Sequence, residues 1–286
     1  MKKLLRKIFG NSISHRYREV LDKKAILNNL KEEPQFQQQF PENIAIIFIA
    51  TNKYLNFFPR FYESVNKYFL PEISKTFFVF TNEPESPQVL VNDGDVIPIY
   101  APHIVFPYIN LFKFKFINSI KDILKYFSHI IYFDADTEVK SKVKSSQFFK
   151  FEQPLFAVQH YNFVKKINPK QFEQNPQSKA YLKTKPKNYW QACFWGGKSE
   201  EFLEMTKILE EWTDKDIKNK IIPRWWDESY LNRYLNENIK KVYTANVSYS
   251  FPDLRKIPKP FKVRISHLSI NPPEFKGENI KESVRK

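Results

Sequence analysis

A chain of 286 residues can bury one large core or two modest ones, and 42% hydrophobic and 17% aromatic residues are too many for a disordered segment. The net charge of +15 points to an anionic partner or to a Lys-rich solvated surface, and it is spread along the chain without Arg-rich blocks or a nucleic-acid motif. One cysteine, Cys193, excludes a disulfide framework and a Cys-cluster zinc site, and the chain has neither His-x-x-x-His spacing nor a phosphate-cradling glycine loop.

Residues 1–43 form a basic N-terminal segment. Its first 24 residues carry eight Lys or Arg against Glu19 and Asp22, with Leu4, Leu5, Ile8 and Phe9 at helical spacing. Such a segment suits an anionic membrane face or a solvated terminal helix. Arg6-Lys7 breaks Leu4-Leu5 too early for a signal peptide, and no apolar run approaches the roughly 20 residues that span a bilayer. A cytoplasmic protein, peripheral on the inner membrane face, is expected.

The apolar run 44–50 reads as a first buried strand, ended by Thr51-Asn52-Lys53-Tyr54. A helix over 57–70 follows, with Phe61, Val65 and Phe69 on one face. Residues 76–80 and 96–100 are strands, the second edge-like because of Pro98. The pattern Phe112, Phe116, Ile120, Ile123 and Phe127 predicts one long helix over 111–127. The β-favouring run 129–133 then ends in Asp134-Ala135-Asp136. Beyond it come strands at 155–159 and up to Gly197, a polar loop over 161–186, helices at 200–212 and 227–235, and a last strand at 242–247. Strands alternating with helices predict an α/β fold, a single mixed, mostly parallel sheet flanked by helices, with ligands at the strand C-terminal ends. One unit over 44–251 would carry it, followed by a basic tail over 252–286.

Two carboxylates leaving a strand end together suit Mg²⁺ or Mn²⁺ held jointly with a diphosphate, or else mark a solvated turn. Without a glycine loop, a diphosphate here needs a metal and basic side chains to neutralise it. The stretch Tyr189-Trp190-Gln191-Ala192-Cys193-Phe194-Trp195-Gly196-Gly197 holds two of the five glycines, so either its backbone approaches a ligand or it makes a tight turn. In Trp225-Trp226-Asp227-Glu228-Ser229, tryptophans abut acids, which suits a sugar or else a capped helix start. Residues 172–181 say only turn.

Taken in order, these motifs resemble the family 6 glycosyltransferases, the group of the histo-blood-group A and B transferases and α1,3-galactosyltransferase. The similar segments are Ala50 to Tyr54, Asn66-Lys67-Tyr68-Phe69, Asp134-Ala135-Asp136, Gln177-Ser178-x-Ala180-Tyr181, the 189–197 stretch and Trp225-x-Asp227-Glu228-Ser229-x-Leu231-Asn232. The resemblance implies a GT-A fold, Mn²⁺ (or Mg²⁺), UDP-Gal or UDP-GalNAc as donor, and retaining transfer to the 3-hydroxyl of a β-galactoside, on a glycan or a lipid-linked acceptor. Carried over, Ala50, Thr51 and Tyr54 would hold uridine, and Asp134, Ala135 and Asp136 the metal and diphosphate. Lys113 would stand in for a donor-binding arginine. Gln191, Ala192 and Cys193 would line the donor sugar, Gln191 and Cys193 choosing between Gal and GalNAc, and Asp227 would bond its hydroxyls. His160 and Trp225 would contact acceptor, and Glu228 would face the anomeric carbon beside it. Trp226 departs from the histidine usual in mammalian members, and Lys262 and Arg264 are candidates for basic residues closing over UDP. The other readings are a GT-A transferase of different donor or linkage, and a basic nucleic-acid-binding protein, which leaves the tryptophan-acid motif unexplained. Nucleic acid is therefore not expected as a partner.

Overall fold

The computed structural model describes residues 43–89, 94–149, 151–253 and 262–268. Residues 1–42 and 269–286, and with them the basic N-terminal segment for which a membrane face or a solvated helix was expected, lie outside that description. The main sheet has seven strands: β1 (Asn43–Ile49), β2 (Ser74–Thr81), β3 (Val96–Tyr100), β4 (His129–Phe133), β6 (Leu155–Gln159), β7 (Trp190–Lys198) and β8 (Val242–Ala245). Their order is β3-β2-β1-β4-β7-β6-β8. Strands β3, β2, β1 and β4 run parallel, β7 is antiparallel to both β4 and β6, and β8 is parallel to β6. Strands β1, β2 and β4 are buried on both faces, which is why they read as apolar runs, whereas β3 is a partly exposed edge strand.

Helix α1 (Phe58–Tyr68) covers one face with Phe58, Phe61 and Val65 against Ile46, Phe48 and Phe77. On the other face Ala45, Ile47, Ile130 and Tyr132 meet Phe114, Phe202, Met205, Leu209 and Tyr230. The single helix expected over 111–127 is instead three short ones, α2 (Tyr108–Leu111), α3 (Lys113–Ser119) and α4 (Lys121–Leu124). Ile120 leaves the helical region at φ −118°, ψ 19°, which resets the phase of the apolar face. Leu111, Phe114, Ile117 and Leu124 are the core residues, and Ile123, expected inside, is 48% exposed. A short helix α5 (Ser145–Phe148) precedes β6, and the long α6 (Ser199–Lys218) and α7 (Trp226–Glu237) match the two later helices. Among the described residues no helix is long and apolar enough to cross a membrane.

A second sheet of three short strands was not anticipated: β5 (Thr137–Val139), β9 (Phe251–Pro252) and β10 (Ile265–His267), in the order β5-β10-β9. β9 straddles the expected boundary at 251 and β10 lies in the expected tail, so this part of the tail is stitched to the main unit. The stitch is tight, since Leu268 N donates to Asp136 O at 2.7 Å and Asp253 N to His267 O at 2.9 Å. It sets His267 beside the Asp134-Ala135-Asp136 turn.

Candidate active site

At the C-terminal ends of β1 and β4 two cavities open side by side. The first, of about 250 Å³, is lined by Ala50, Thr51 and Tyr54 from the end of β1, by His103 and Asn110, and by Tyr132, Asp134, Ala135 and Asp136. Thr51 Oγ1 pairs with His103 Nδ1 at 2.9 Å. The second, of about 320 Å³, is lined by His160, Gln191, Ala192, Cys193, Trp225, Trp226, Asp227, Glu228 and His267, and shares Asn110 and Asp134 with the first. Every donor-, metal- and acceptor-site residue proposed from sequence therefore stands on one of the two walls except Lys113, and the two basic candidates Lys262 and Arg264 line neither.

Lys113 lies behind the wall, only 4% exposed. Its ammonium donates to Asp227 Oδ2 at 2.6 Å and to Asp134 Oδ1 at 3.3 Å, over the Tyr132 ring at 4.3 Å. Burial works against that charge, but Asp134 and Asp227 outweigh it and hold the pKa well above the ordinary lysine value. Burial also pushes Asp227 up while Lys113 pulls it down. Burial prevails, and Asp227 stays above the ordinary carboxylate value in spite of the 2.6 Å contact with Lys113. Lys113 thus ties the first cavity to the second.

Asp134 is fixed by Tyr132, whose hydroxyl donates to Oδ1 at 2.6 Å, and its own N donates to Cys193 O at 2.9 Å. Among the described residues Oδ2 carries no hydrogen bond, and Asp136 keeps its carboxylate at the cavity edge. Two carboxylates with vacant oxygens fit a hard divalent cation whose remaining ligands come from a diphosphate and water. Among the described residues no three His, Cys, Asp or Glu side chains gather where they could hold a metal ion by themselves.

Glu228 enters in the first turn of α7. Tyr189 Oη donates to Oε1 at 2.7 Å and Ala192 N to Oε2 at 3.1 Å, so its orientation is set from both sides. Burial pushes its pKa up to about 7, against the two hydrogen bonds, which lower it. Trp225 is held by its indole N–H on Gln171 Oε1 at 3.1 Å. Trp226 adopts φ +50°, unusual for a side chain of that size, and meets Phe106 edge-on at 4.3 Å. His160 lies against Tyr161, Phe163 and Tyr189.

Gln191 is more committed than its polarity suggests. Its amide nitrogen donates to Gln159 O at 3.2 Å and Ser250 O at 3.1 Å, and Oε1 accepts from Ser250 Oγ at 3.2 Å. The glycine pair lines neither cavity. A Cβ on Gly196 would stand 2.5 Å from Ile130 O, and one on Gly197 2.2 Å from Pro154 O, so the pair lets β7 fit between β4 and β6. The ligand-approach and turn readings both give way to strand packing.

Sequence reasoning missed His103, Asn110, Ser250 and His267. Only His267 had a usable signal, the alternating run Val263-Arg264-Ile265-Ser266-His267. Arg264, a candidate for closing over the nucleotide, stacks on the Tyr249 ring at 4.8 Å.

A mostly parallel α/β sheet whose central strand delivers Asp-x-Asp to the mouth of paired cavities defines a glycosyltransferase of the GT-A type. The sequence matches glycosyltransferase family 6 over residues 24–275, and the chain belongs to that family. It is 30% identical over 214 residues to the O-antigen biosynthesis glycosyltransferase WbnI of Escherichia coli, covering 73% of this chain and 88% of that one. To the histo-blood group ABO system transferases 2 and 1 of Rattus norvegicus it is 25% identical over 197 residues, 67% of this chain and 58% and 56% of theirs. The chain therefore spans little over half the length of the rat relatives.

Proposed function

We propose that this transferase moves galactose or N-acetylgalactosamine from UDP to the 3-hydroxyl of a β-galactoside, with retention, giving an α1,3 linkage. The observation that carries this reading is the pair of cavities joined at Asp134. One is sized and lined for a nucleotide. The other sets Asp227 and Glu228 beside the indoles of Trp225 and Trp226, an amphipathic surface against which a hexose can stack its C–H face.

In this reading Ala50, Thr51 and Tyr54 hold uridine, and Asp134 and Asp136 present their oxygens to Mn²⁺ or Mg²⁺ beside the diphosphate. When bound, that cation supplies Lewis-acid stabilisation of the charge that grows on the diphosphate. Asp227, fixed by Lys113, accepts from the donor's hydroxyls. Glu228 faces C1 opposite the leaving group, its two oxygens aimed by Tyr189 and Ala192. From there it either bonds C1 and is displaced by the acceptor hydroxyl, as in retaining glycosidases, or screens positive charge during same-face attack. Trapping of a glycosyl-Glu228 species by mass spectrometry separates the two. His160 and Trp225 receive the acceptor, on a glycan or a lipid carrier.

Donor choice leans to UDP-Gal. Cys193 narrows the space for an acetamido group, and both amide protons of Gln191 are already spent on backbone carbonyls. Cys193→Gly is expected to raise kcat/KM for UDP-GalNAc relative to UDP-Gal by about tenfold, the scale of a small steric change. The primary test incubates the protein with each donor and a β-galactoside and assigns the product linkage by NMR. Full activity in excess EDTA would remove the metal from this scheme, and a product linked elsewhere would favour a GT-A transferase of different linkage.

A further inference from the structure

The loop over 161–187 starts directly after His160 and carries seven lysines against one acid, so its charge is almost all of one sign. A groove elsewhere on the protein, between α4 and α6, sets Lys121, Lys125 and Lys207 among Asp122, Glu204 and Glu210, the mixed signs of an ordinary solvated surface. The lone acid of the loop, Glu173, does not offset the lysines. Its carboxyl group is buried and accepts from Gln174 N at 2.8 Å, Asn175 N at 2.7 Å and Arg224 N at 2.5 Å. Lys165, Lys166, Lys170, Lys179, Lys183, Lys185 and Lys187 are all exposed, and among the described residues their ammonium groups take part in no ion pair. Like charges held together repel one another, and a bound anion offsets that repulsion.

The loop is also fixed against both side chains assigned to the acceptor. Phe163 packs on the His160 ring at 4.8 Å and on the Tyr189 ring at 4.9 Å, and Gln171 Oε1 accepts from the Trp225 indole at 3.1 Å. Phe172, Leu182 and Tyr189 form a small apolar cluster with Phe163, Ile167 and Trp225. Lys165 and Lys166 lie between Phe163 and Ile167, Lys170 precedes Gln171, and Lys183 follows Leu182, so these four are rooted beside pinned positions. Further along, Lys179 N donates to Asp216 at 2.8 Å and Lys187 N to Asn236 Oδ1 at 2.7 Å. A backbone ordered before its ligand arrives loses little entropy on binding. The exposed Arg224 guanidinium, 5.8 Å from the Trp225 ring, adds to the positive charge beside that tryptophan.

We propose that the 161–187 loop, with Arg224, is a subsite for negative charge on the acceptor beyond its terminal galactose. The acceptor is then an anionic saccharide, charged on its own sugars or on a phosphate at its reducing end. This rests on the β-galactoside reading, in which the 3-hydroxyl faces the donor and the rest of the acceptor leaves past His160 and Trp225. Lysine suits the task, because a compact charge on a flexible stem follows an anion at varied positions, where arginine's fork demands one geometry.

The test compares kcat/KM for three soluble acceptors: β-galactosyl-glucose, β-galactosyl-glucuronic acid and β-galactosyl-glucose 1-phosphate. At 0.05 M salt one or both charged acceptors are expected to exceed the neutral one at least about tenfold, through KM, and the advantage to fade by about 0.5 M. Which of the two gains assigns the charge to the sugars or to the reducing end. Single exposed charges contribute little, so Lys165→Gln, Lys166→Gln and Lys170→Gln are combined in one chain, expected to bring the advantage close to one with kcat little changed. Lys121→Gln, Lys125→Gln and Lys207→Gln together make the same change of net charge in the mixed groove and should keep the advantage. Should the loop variant fail to fold, the salt dependence of the wild type decides. Equal kcat/KM for all three acceptors at both salt concentrations overturns the proposal with the β-galactoside reading intact. So does a loop variant that keeps the acceptor preference but loses binding to anionic vesicles, which makes the loop a membrane surface. Turnover of none of the three overturns the β-galactoside reading and this inference with it.

Discussion

Glu228 sits where its charge is hardest to keep and its geometry is best defined. With a pKa of about 7 it is half-protonated at neutral pH, and its proposed role needs the carboxylate. Hydrolysis of the UDP-sugar is therefore expected to show kcat/KM rising about tenfold per pH unit below pH 6 and levelling above pH 8. Glu228→Gln should remove nearly all turnover while leaving UDP affinity within a few-fold; equal losses in both would make it a structural helix-start residue. The stability sign runs the other way. A carboxyl with a raised folded pKa binds its proton more tightly when folded, so its contribution falls as pH climbs from the ordinary 4.5 to about 7 and is constant beyond. Lys113 carries the opposite risk. Lys113→Met leaves Asp227 buried and unpaired, and urea denaturation should report a loss of about 3–5 kcal/mol. A loss under about 1 kcal/mol would mean that Asp227 is solvated.

At the level of elements, the 172–181 segment shows how a loop is held without secondary structure. Asp216, fully buried in the last turns of α6, accepts from Ser178 Oγ at 2.6 Å, Lys179 N at 2.8 Å and Tyr230 Oη at 3.0 Å. Glu173 adds Asn175 N at 2.7 Å and Arg224 N at 2.5 Å, tying the loop to the segment that carries Trp225. Asp216→Ala orphans these donors and is expected to cost about 3 kcal/mol, with cleavage in limited proteolysis moving to this loop. Unchanged stability and cleavage would show that water replaces the carboxylate. None of this was legible in the sequence, where 172–181 reads only as turn, because the partner lies 37 or 38 residues away in the chain. The buried strands were legible because burial on both faces leaves unbroken apolar runs. The strand end that carries Asp134 and Asp136 was legible because the β-favouring run 129–133 stops at them. The helix over 111–127 was misread because a break at Ile120 changes the phase, and a period shows repetition but not interruption.

Across the whole molecule, most of the described phenylalanines serve the core, where rings such as Phe48, Phe61, Phe133 and Phe194 pack at 4.6–5.3 Å. The charge of +15 has no comparable structural use among the described residues. We propose that part of it serves an anionic membrane surface, a reading that binding to vesicles tests. Sedimentation with vesicles of anionic lipid should show binding that fades between 0.05 and about 0.5 M salt and that deletion of residues 2–42 weakens at least about tenfold. Equal binding by the truncated chain would place the basic surface on the catalytic unit over 44–251.

Strand β7 combines two opposite tolerances to substitution within a few residues. At Gly196 and Gly197 even one methyl collides with neighbouring backbone, so the strand cannot shift or thicken where it passes between β4 and β6. Gln191 and Cys193, on the same strand, are buried but border a cavity on one side, although Gln191 is also tied to the Gln159 and Ser250 carbonyls. Divergence in this protein can therefore rewrite the sugar-facing end of β7 without disturbing its anchored end. A library randomised at 191 and 193 should return more folded enzymes, of varied donor preference, than one randomised at 196 and 197, which should return almost none.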